Sequence, residues 1–221
     1  MKTRNMFAVA ALLLAAQAGA AELISNGSFE AGQLVANYVD PGARRIDPND
    51  STTLAGWTTL NSGLDIAWIG LGNPYNITAS DGNNFLDLTG WHDQSGQGAG
   101  VKQTIATTAG MHYTLTFDQG NSANYNFGNT DTLYVTAGDQ SHVGFTVAGT
   151  TQPSEWTHQT LSFTATGSST DISFAGGQAV YFIGLDNVSV VAAPVPEPAE
   201  ALMLGAGLLG LAVAARRRRR A

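Results

Sequence analysis

Trp91-His92-Asp93-Gln94 lies in a glycine-rich stretch between Gly90 and Gly96, an aromatic ring followed directly by hydrogen-bonding side chains. An exposed ring that stacks on the face of a pyranose, next to Asp, Asn or Gln groups that bond its hydroxyls, is the chemistry of sugar recognition. Trp91, His92 and Asp93 are therefore the leading ligand contacts, with Tyr75 and Tyr125 next. Packing is the competing fate of Trp91. Trp57, Trp68 and Trp156 adjoin strand-like runs and are expected in the core.

No catalytic constellation stands out. His92, His112, His142 and His158 are dispersed, without the His-Glu-x-x-His spacing that puts two metal ligands on one helical face, and Gly-x-Ser-x-Gly is missing. The chain has no cysteine, which excludes a disulfide framework, a thiolate metal site and a catalytic thiol. Acid and base pairs for glycoside hydrolysis depend on a separation set in three dimensions, and the spacing of Asp65, Asp87, Asp93 and Asp118 neither suggests nor forbids one. Gly205, Gly207 and Gly210 spell the dinucleotide-binding pattern, but they lie in an apolar run rather than between a strand and a helix. The expectation is a protein that is not an enzyme.

The elements that must position these side chains read as strands. Tyr113, Leu115 and Phe117 alternate with polar neighbours, as do Val143, Phe145 and Val147; Leu161, Phe163 and Ala165; and Ile172 and Phe174. A period of two rich in Thr, Val, Phe and Tyr predicts antiparallel strands with one buried face, in an all-β sandwich. No stretch between the two ends carries a helical stripe. Irregular segments are expected over 35–53, 70–84 and 90–100, the places on a rigid sandwich where binding residues gather. Of the ten Lys and Arg, only Arg44, Arg45 and Lys102 fall within residues 22–198, against sixteen acids, a formal charge of −13. Such a surface repels phosphate backbones, so nucleic acid is excluded as a partner, while divalent cations, neutral sugars and basic partners fit.

The two ends carry addresses. Lys2 and Arg4, an apolar run over 6–16 and the small residues Ala18-Gly19-Ala20 form the three parts of a secretory signal peptide, with cleavage expected after Ala20. At the other end Val195-Pro196-Glu197-Pro198 precedes an uncharged run and then the arginines at 216–220. That order resembles the PEP-CTERM sorting signal, which exosortases process in Gram-negative bacteria that make exopolysaccharide. The resemblance implies that Val195, Pro196, Glu197 and Pro198 form the recognition element, that a single transmembrane helix covers about 199–215, and that the arginines stay in the cytoplasm. The expected layout is a signal peptide over 1–20, an ectodomain over 21–193 and the sorting tail over 194–221.

Asn26-Gly27-Ser28-Phe29-Glu30, Gly56-Trp57-Thr58, Asp65-Ile66-Ala67-Trp68 and the closing Leu185-Asp186-Asn187-Val188-Ser189 resemble the DUF642 and choice-of-anchor ectodomains, and more broadly a galactose-binding-like jelly roll. The resemblance implies that the first and last strands are neighbours and that Glu30 and Asp186 help to hold a structural Ca²⁺, the alternative being capping carboxylates bonded to backbone. Alternation also slips at Asp186-Asn187, as at a bulge. The function expected from these readings is an exported, exosortase-sorted cell-surface or matrix protein that binds exopolysaccharide or another glycan. A purely structural matrix protein is the alternative and a secreted glycan hydrolase the third. Expected partners are signal peptidase, exosortase, polysaccharide and, transiently, the inner membrane.

Overall fold

The computed structural model describes residues 21–32, 41–90, 98–177 and 182–194, with isolated helical positions at 205, 207, 208 and 216. Trp91, His92 and Asp93, the signal peptide and the sorting motif Val195 to Pro198 lie outside the described residues. So does nearly all of the span expected over 199–215; among the described residues no helix is long and apolar enough to cross a membrane.

Two antiparallel sheets face one another. One has six strands in the order β1 (Ala43–Ile46), β3 (Ile66–Ile69), β4 (Phe85–Asp87), β11 (Gly184–Ala192), β6 (His112–Asn121) and β9 (Glu155–Thr164). The other has five, in the order β2 (Thr58–Thr59), β5 (Gly100–Ala106), β10 (Ser169–Gly176), β7 (Asp131–Ala137) and β8 (Gln140–Val147). Between β6 and β7 lies a short helix, α1 (Ala123–Asn126), a single turn long.

The alternation read from the sequence is what buries the core. Leu115, Phe117, Ile172 and Phe174 are fully inaccessible, and Tyr113, Leu161, Phe163 and Ala165 are buried beside them. Phe174 packs against Phe117 at 5.1 Å and Trp57 at 6.3 Å, and Trp57 against Phe29 at 5.3 Å, so one run of tilted rings spans the space between the sheets. Trp57 and Trp68 are core residues, as expected. In β3 all four side chains are buried, because Ile66 and Trp68 join the central core while Ala67 and Ile69 join a second cluster.

The segment read as a loop over 35–53 contains a strand. β1 pairs with β3 in the register Arg44↔Trp68 and Arg45↔Ala67. Its two arginines hide the period-two pattern: both are partly buried, Arg44 bonded to Thr53 and Arg45 paired with the buried Asp65, between the buried Ala43 and Ile46.

Candidate functional site

Residues 70–84 form no strand and lie over the second apolar cluster, in which Ile77, Phe85 and Phe182 are buried and Tyr75, Ala79, Tyr125 and Trp156 are packed against them. Two glycines make the seat. A side chain at Gly120 would come within 2.7 Å of the Trp156 ring, and one at Gly184 within 2.8 Å of both Trp156 and Phe182. From that seat the Trp156 indole Nε1 donates to the Thr78 carbonyl at 2.8 Å. Phe85 meets Trp156 and Phe182 edge to face.

Two carboxylates close the loop. Glu30 Oε1 accepts the backbone N–H groups of Asn83 and Asn84, both at 2.7 Å, and Oε2 accepts the Asn84 amide at 2.7 Å. Asp186 Oδ2 accepts the N–H groups of Ser80 at 2.8 Å and Asp81 at 2.9 Å, and Oδ1 that of Asn187 at 2.7 Å. Within the loop, Asn73 donates to the carbonyls of Gly70 and Ile77 and accepts the Tyr75 N–H, which fixes the turn locally.

The walls so formed enclose a cleft of about 330 Å³ whose lining includes Leu71, Asn73, Asn76, Ile77, Thr78 and Asn83. No lining side chain is charged. Leu71 is 73% exposed at its rim. Half-buried Tyr75 meets Tyr125 of α1 edge to face at 5.6 Å, so these two sequence candidates come together, packed against the second apolar cluster rather than lining the cleft. Asn73 is committed to the loop, while the exposed side chains of Asn76, Thr78 and Asn83 supply hydrogen-bonding groups to the cleft.

Below the loop the carboxyls differ sharply. Asp186 is cross-strand partner to Asp118, and the register slips between Asp186 and Ser189, the bulge expected from the sequence. Burial pushes the Asp186 carboxyl up to about 7, against the N–H groups that favour its charged form and with Asp81 adding repulsion. Burial alone would also raise Asp118, but hydrogen bonds from Ser80, His158 and Asn187 outweigh it and hold Asp118 below the usual range. Ser80 Oγ donates to Asp118 Oδ2, Asn187 reaches the same oxygen at 3.1 Å, and His158 Nδ1 lies 2.7 Å from Oδ1.

Sequence reasoning did not single out Ser80, Asn187 or His158, and it weighed Asp118 only as one of four carboxylates. Their signal is purely tertiary, apart from the slip at Asp186-Asn187. Of the other described carboxylates weighed there, Asp65 is paired with Arg45, and Asp87 accepts from Thr89 and the Ile183 N–H.

At Glu30 and Asp186, where a structural calcium was expected, the carboxylate oxygens accept backbone N–H groups of the loop. Ca²⁺ gathers six to eight oxygens, whereas both carboxylates here face N–H donors that a cation would repel, and among the described residues no group of three or more His, Asp or Glu could hold a metal. The donors present make the two carboxylates a loop clamp.

A two-sheet antiparallel sandwich with an uncharged loop cleft on its six-stranded side defines the class of this molecule. The chain belongs to the family described as "Protein of unknown function (DUF642)", whose profile matches residues 22–189. No curated protein matches it. Among solved structures it is similar to an apo-form cyclase from Fischerella sp., at 21% identity, TM-score 0.55, with 80% of this chain and 98% of that one covered. It is similar also to a cyclase from Fischerella sp. TAU in complex with 4-(1H-indol-3-yl)butan-2-one, at 22% identity, TM-score 0.51, with 80% and 100% covered. At such identities these likenesses speak to the fold alone.

Proposed function

We propose that this protein is an exported, non-enzymatic surface or matrix protein whose galactose-binding-like jelly roll takes a neutral glycan in the cleft over residues 70–84. The observation that carries this reading is the cleft's chemistry: uncharged walls and the exposed amides of Asn76 and Asn83, in a loop that also carries Tyr75 in contact with Tyr125. Amides bond sugar hydroxyls in both directions, and rings stack on apolar sugar faces. The formal −13 over residues 22–198 argues for a neutral glycan over a uronate-rich one, which the surrounding carboxylates would repel. Trp91, His92 and Asp93 belong to the proposal as additional contacts. Export through the signal peptide, sorting by exosortase at Pro196-Glu197-Pro198 and delivery to the cell surface complete it.

Binding is favoured over glycan hydrolysis because the carboxyl whose affinity for protons is raised beside the cleft, Asp186, is 0% exposed and closed off by the loop it holds. The test is a screen of neutral and uronate-containing oligosaccharides by titration calorimetry, followed by Asn76→Ala, Asn83→Ala and Trp91→Ala. Binding of a neutral glycan that falls at least tenfold in the Asn variants is expected. Binding that survives both Asn variants places the ligand elsewhere; no binding to any glycan leaves the structural matrix role; release of reducing ends reverses the assignment to a hydrolase.

A further inference from the structure

Among the described residues that line the cleft over 70–84, none carries an aromatic ring. Tyr75 and Tyr125 pack on each other and on the second apolar cluster instead. The apolar part of the cleft is therefore aliphatic. Ile77, only 4% exposed, and half-buried Ala79 belong to that cluster and also line the cleft, while Leu71 stands out at the rim. Asn76, Thr78 and Asn83 lie among them with exposed amide and hydroxyl groups. A lining of this kind matches a ligand group that joins a small aliphatic end to a neutral hydrogen-bonding one.

These groups are held in place. Between Ile77 and Ala79, the Thr78 carbonyl accepts the Trp156 indole N–H at 2.8 Å and the Ser154 hydroxyl at 3.3 Å. The Asn73 amide ties Gly70 to Ile77 through their carbonyls, at 2.9 and 3.0 Å. Leu71 is presented by a turn at Gly72, whose φ of +80° is a left-handed conformation that glycine adopts without strain. Gly42 packs so closely on that turn that a side chain there would come within 2.5 Å of the Leu71 carbonyl and 2.7 Å of the Asn73 nitrogen. Asn83 is fixed by its N–H to Glu30, and a side chain at Gly82 would strike the same carboxylate. A preformed site gives up little conformational freedom on binding, so its discrimination rests on which ligand group fits.

We propose that the group this cleft selects is the acetamido substituent of an N-acetylated hexosamine unit, its methyl against Leu71, Ile77 and Ala79 and its amide met by Asn76, Thr78 and Asn83. The inference rests on the glycan reading and narrows it to one class of sugar. An amide side chain both donates and accepts, so it meets the N–H and the C=O of an acetamide with complementary groups. A plain hexose brings hydroxyls but no methyl, and leaves the aliphatic corner in contact with water. A 6-deoxyhexose brings a methyl but no amide. A free amino sugar brings an ammonium, which loses hydration in a lining that holds no carboxylate to meet it. The cleft's volume of about 330 Å³ is at the small end of the about 300–1,000 Å³ usual for ligand sites, which suits one such unit rather than a long chain.

The experiment is titration calorimetry of the purified full chain against oligosaccharides of N-acetylglucosamine and N-acetylgalactosamine, their glucose, galactose and glucosamine counterparts, and a 6-deoxyhexose. Saturation-transfer NMR on the N-acetylated ligands accompanies it. An N-acetylated ligand is expected to bind about tenfold more tightly than its counterparts, the usual worth of one small group in a fitted pocket, with its acetyl methyl receiving the strongest saturation. Leu71→Ala, at a position 73% exposed where folding is not at stake, should cut that preference about threefold through the lost methyl contact. Equal binding of the unacetylated or 6-deoxy ligands, or strongest saturation on the ring protons, overturns the inference while the glycan reading stands. A preference for the acetamide that Leu71→Ala leaves untouched puts that group outside this cleft and overturns the inference too. Binding only to other glycans in the wider screen has the same meaning, and no glycan binding at all removes both readings.

Discussion

Glu30 and Asp186 hold the same loop from two sides, Glu30 through the N–H groups of Asn83 and Asn84 and Asp186 through those of Ser80 and Asp81. They come from segments at opposite ends of the sandwich sequence that are themselves bonded together: Val188 N–H donates to the Gly27 carbonyl at 3.0 Å, and Glu22 bridges to Val191. A side chain at Gly27 would overlap the Val188 carbonyl at 1.9 Å, which is why glycine stands there.

The clamp should show in stability. Asp186→Ala strips the acceptor from three backbone N–H groups and is expected to cost about 2–4 kcal/mol, whereas Asp186→Asn keeps a carbonyl oxygen and should cost far less. Glu30→Ala, at an exposed position, should cost about 1 kcal/mol. Because both carboxylates are committed to N–H donors, added calcium or EDTA should leave the wild-type thermal midpoint unchanged. A rise with calcium that Asp186→Ala abolishes would restore a metal site.

Acidity should stabilise the fold. Burial raises both Asp131, with repulsion from Asp87 adding to it, and Asp186 to about 7, from an ordinary value of 3.8. The folded state therefore holds more protons than the unfolded one between those limits. Their contribution is fully present below about pH 3.8 and is lost as pH rises through about 7. Denaturant midpoints at pH 5 and pH 8 check this; the lower pH should give the higher midpoint, and Asp131→Asn should flatten the difference.

Gly120→Ala should unseat Trp156, whose ring lies 2.7 Å from the added methyl. The expected cost is about 1–3 kcal/mol, the usual range for overpacking, with a red-shifted tryptophan emission as the Thr78 contact loosens. Gly167→Ala, where nothing lies nearer than 3.7 Å, is the neutral control.

Phe174→Ala should be the most damaging of these substitutions. It removes a fully buried ring that touches Phe117 and Trp57 and leaves a cavity between the sheets. Losses of about 3–5 kcal/mol are typical of buried Phe→Ala changes. Urea titration followed by circular dichroism measures it, and a loss below 1 kcal/mol would mean that the sheets close over the gap.

Alternation in the sequence determined the fold class, because a strand with one buried face must write its pattern along the chain at a period of two. Tyr113, Leu115 and Phe117, or Ile172 and Phe174, could be assigned to the core with no coordinates at all. β1 was illegible because Arg44 and Arg45 are accommodated by Thr53 and Asp65, partners that only the fold brings to them. The slip at Asp186-Asn187 was legible as a broken alternation, but its purpose was not. That the N–H groups of Ser80 and Asp81 would meet a carboxylate more than one hundred residues away depends on strand order. The same holds for Trp156, which lies across Gly120 and Gly184 from two neighbouring strands. Local patterns record which face of an element is buried; which elements share a face is decided by sheet topology, and so the clamp and the cleft exist only in the tertiary structure.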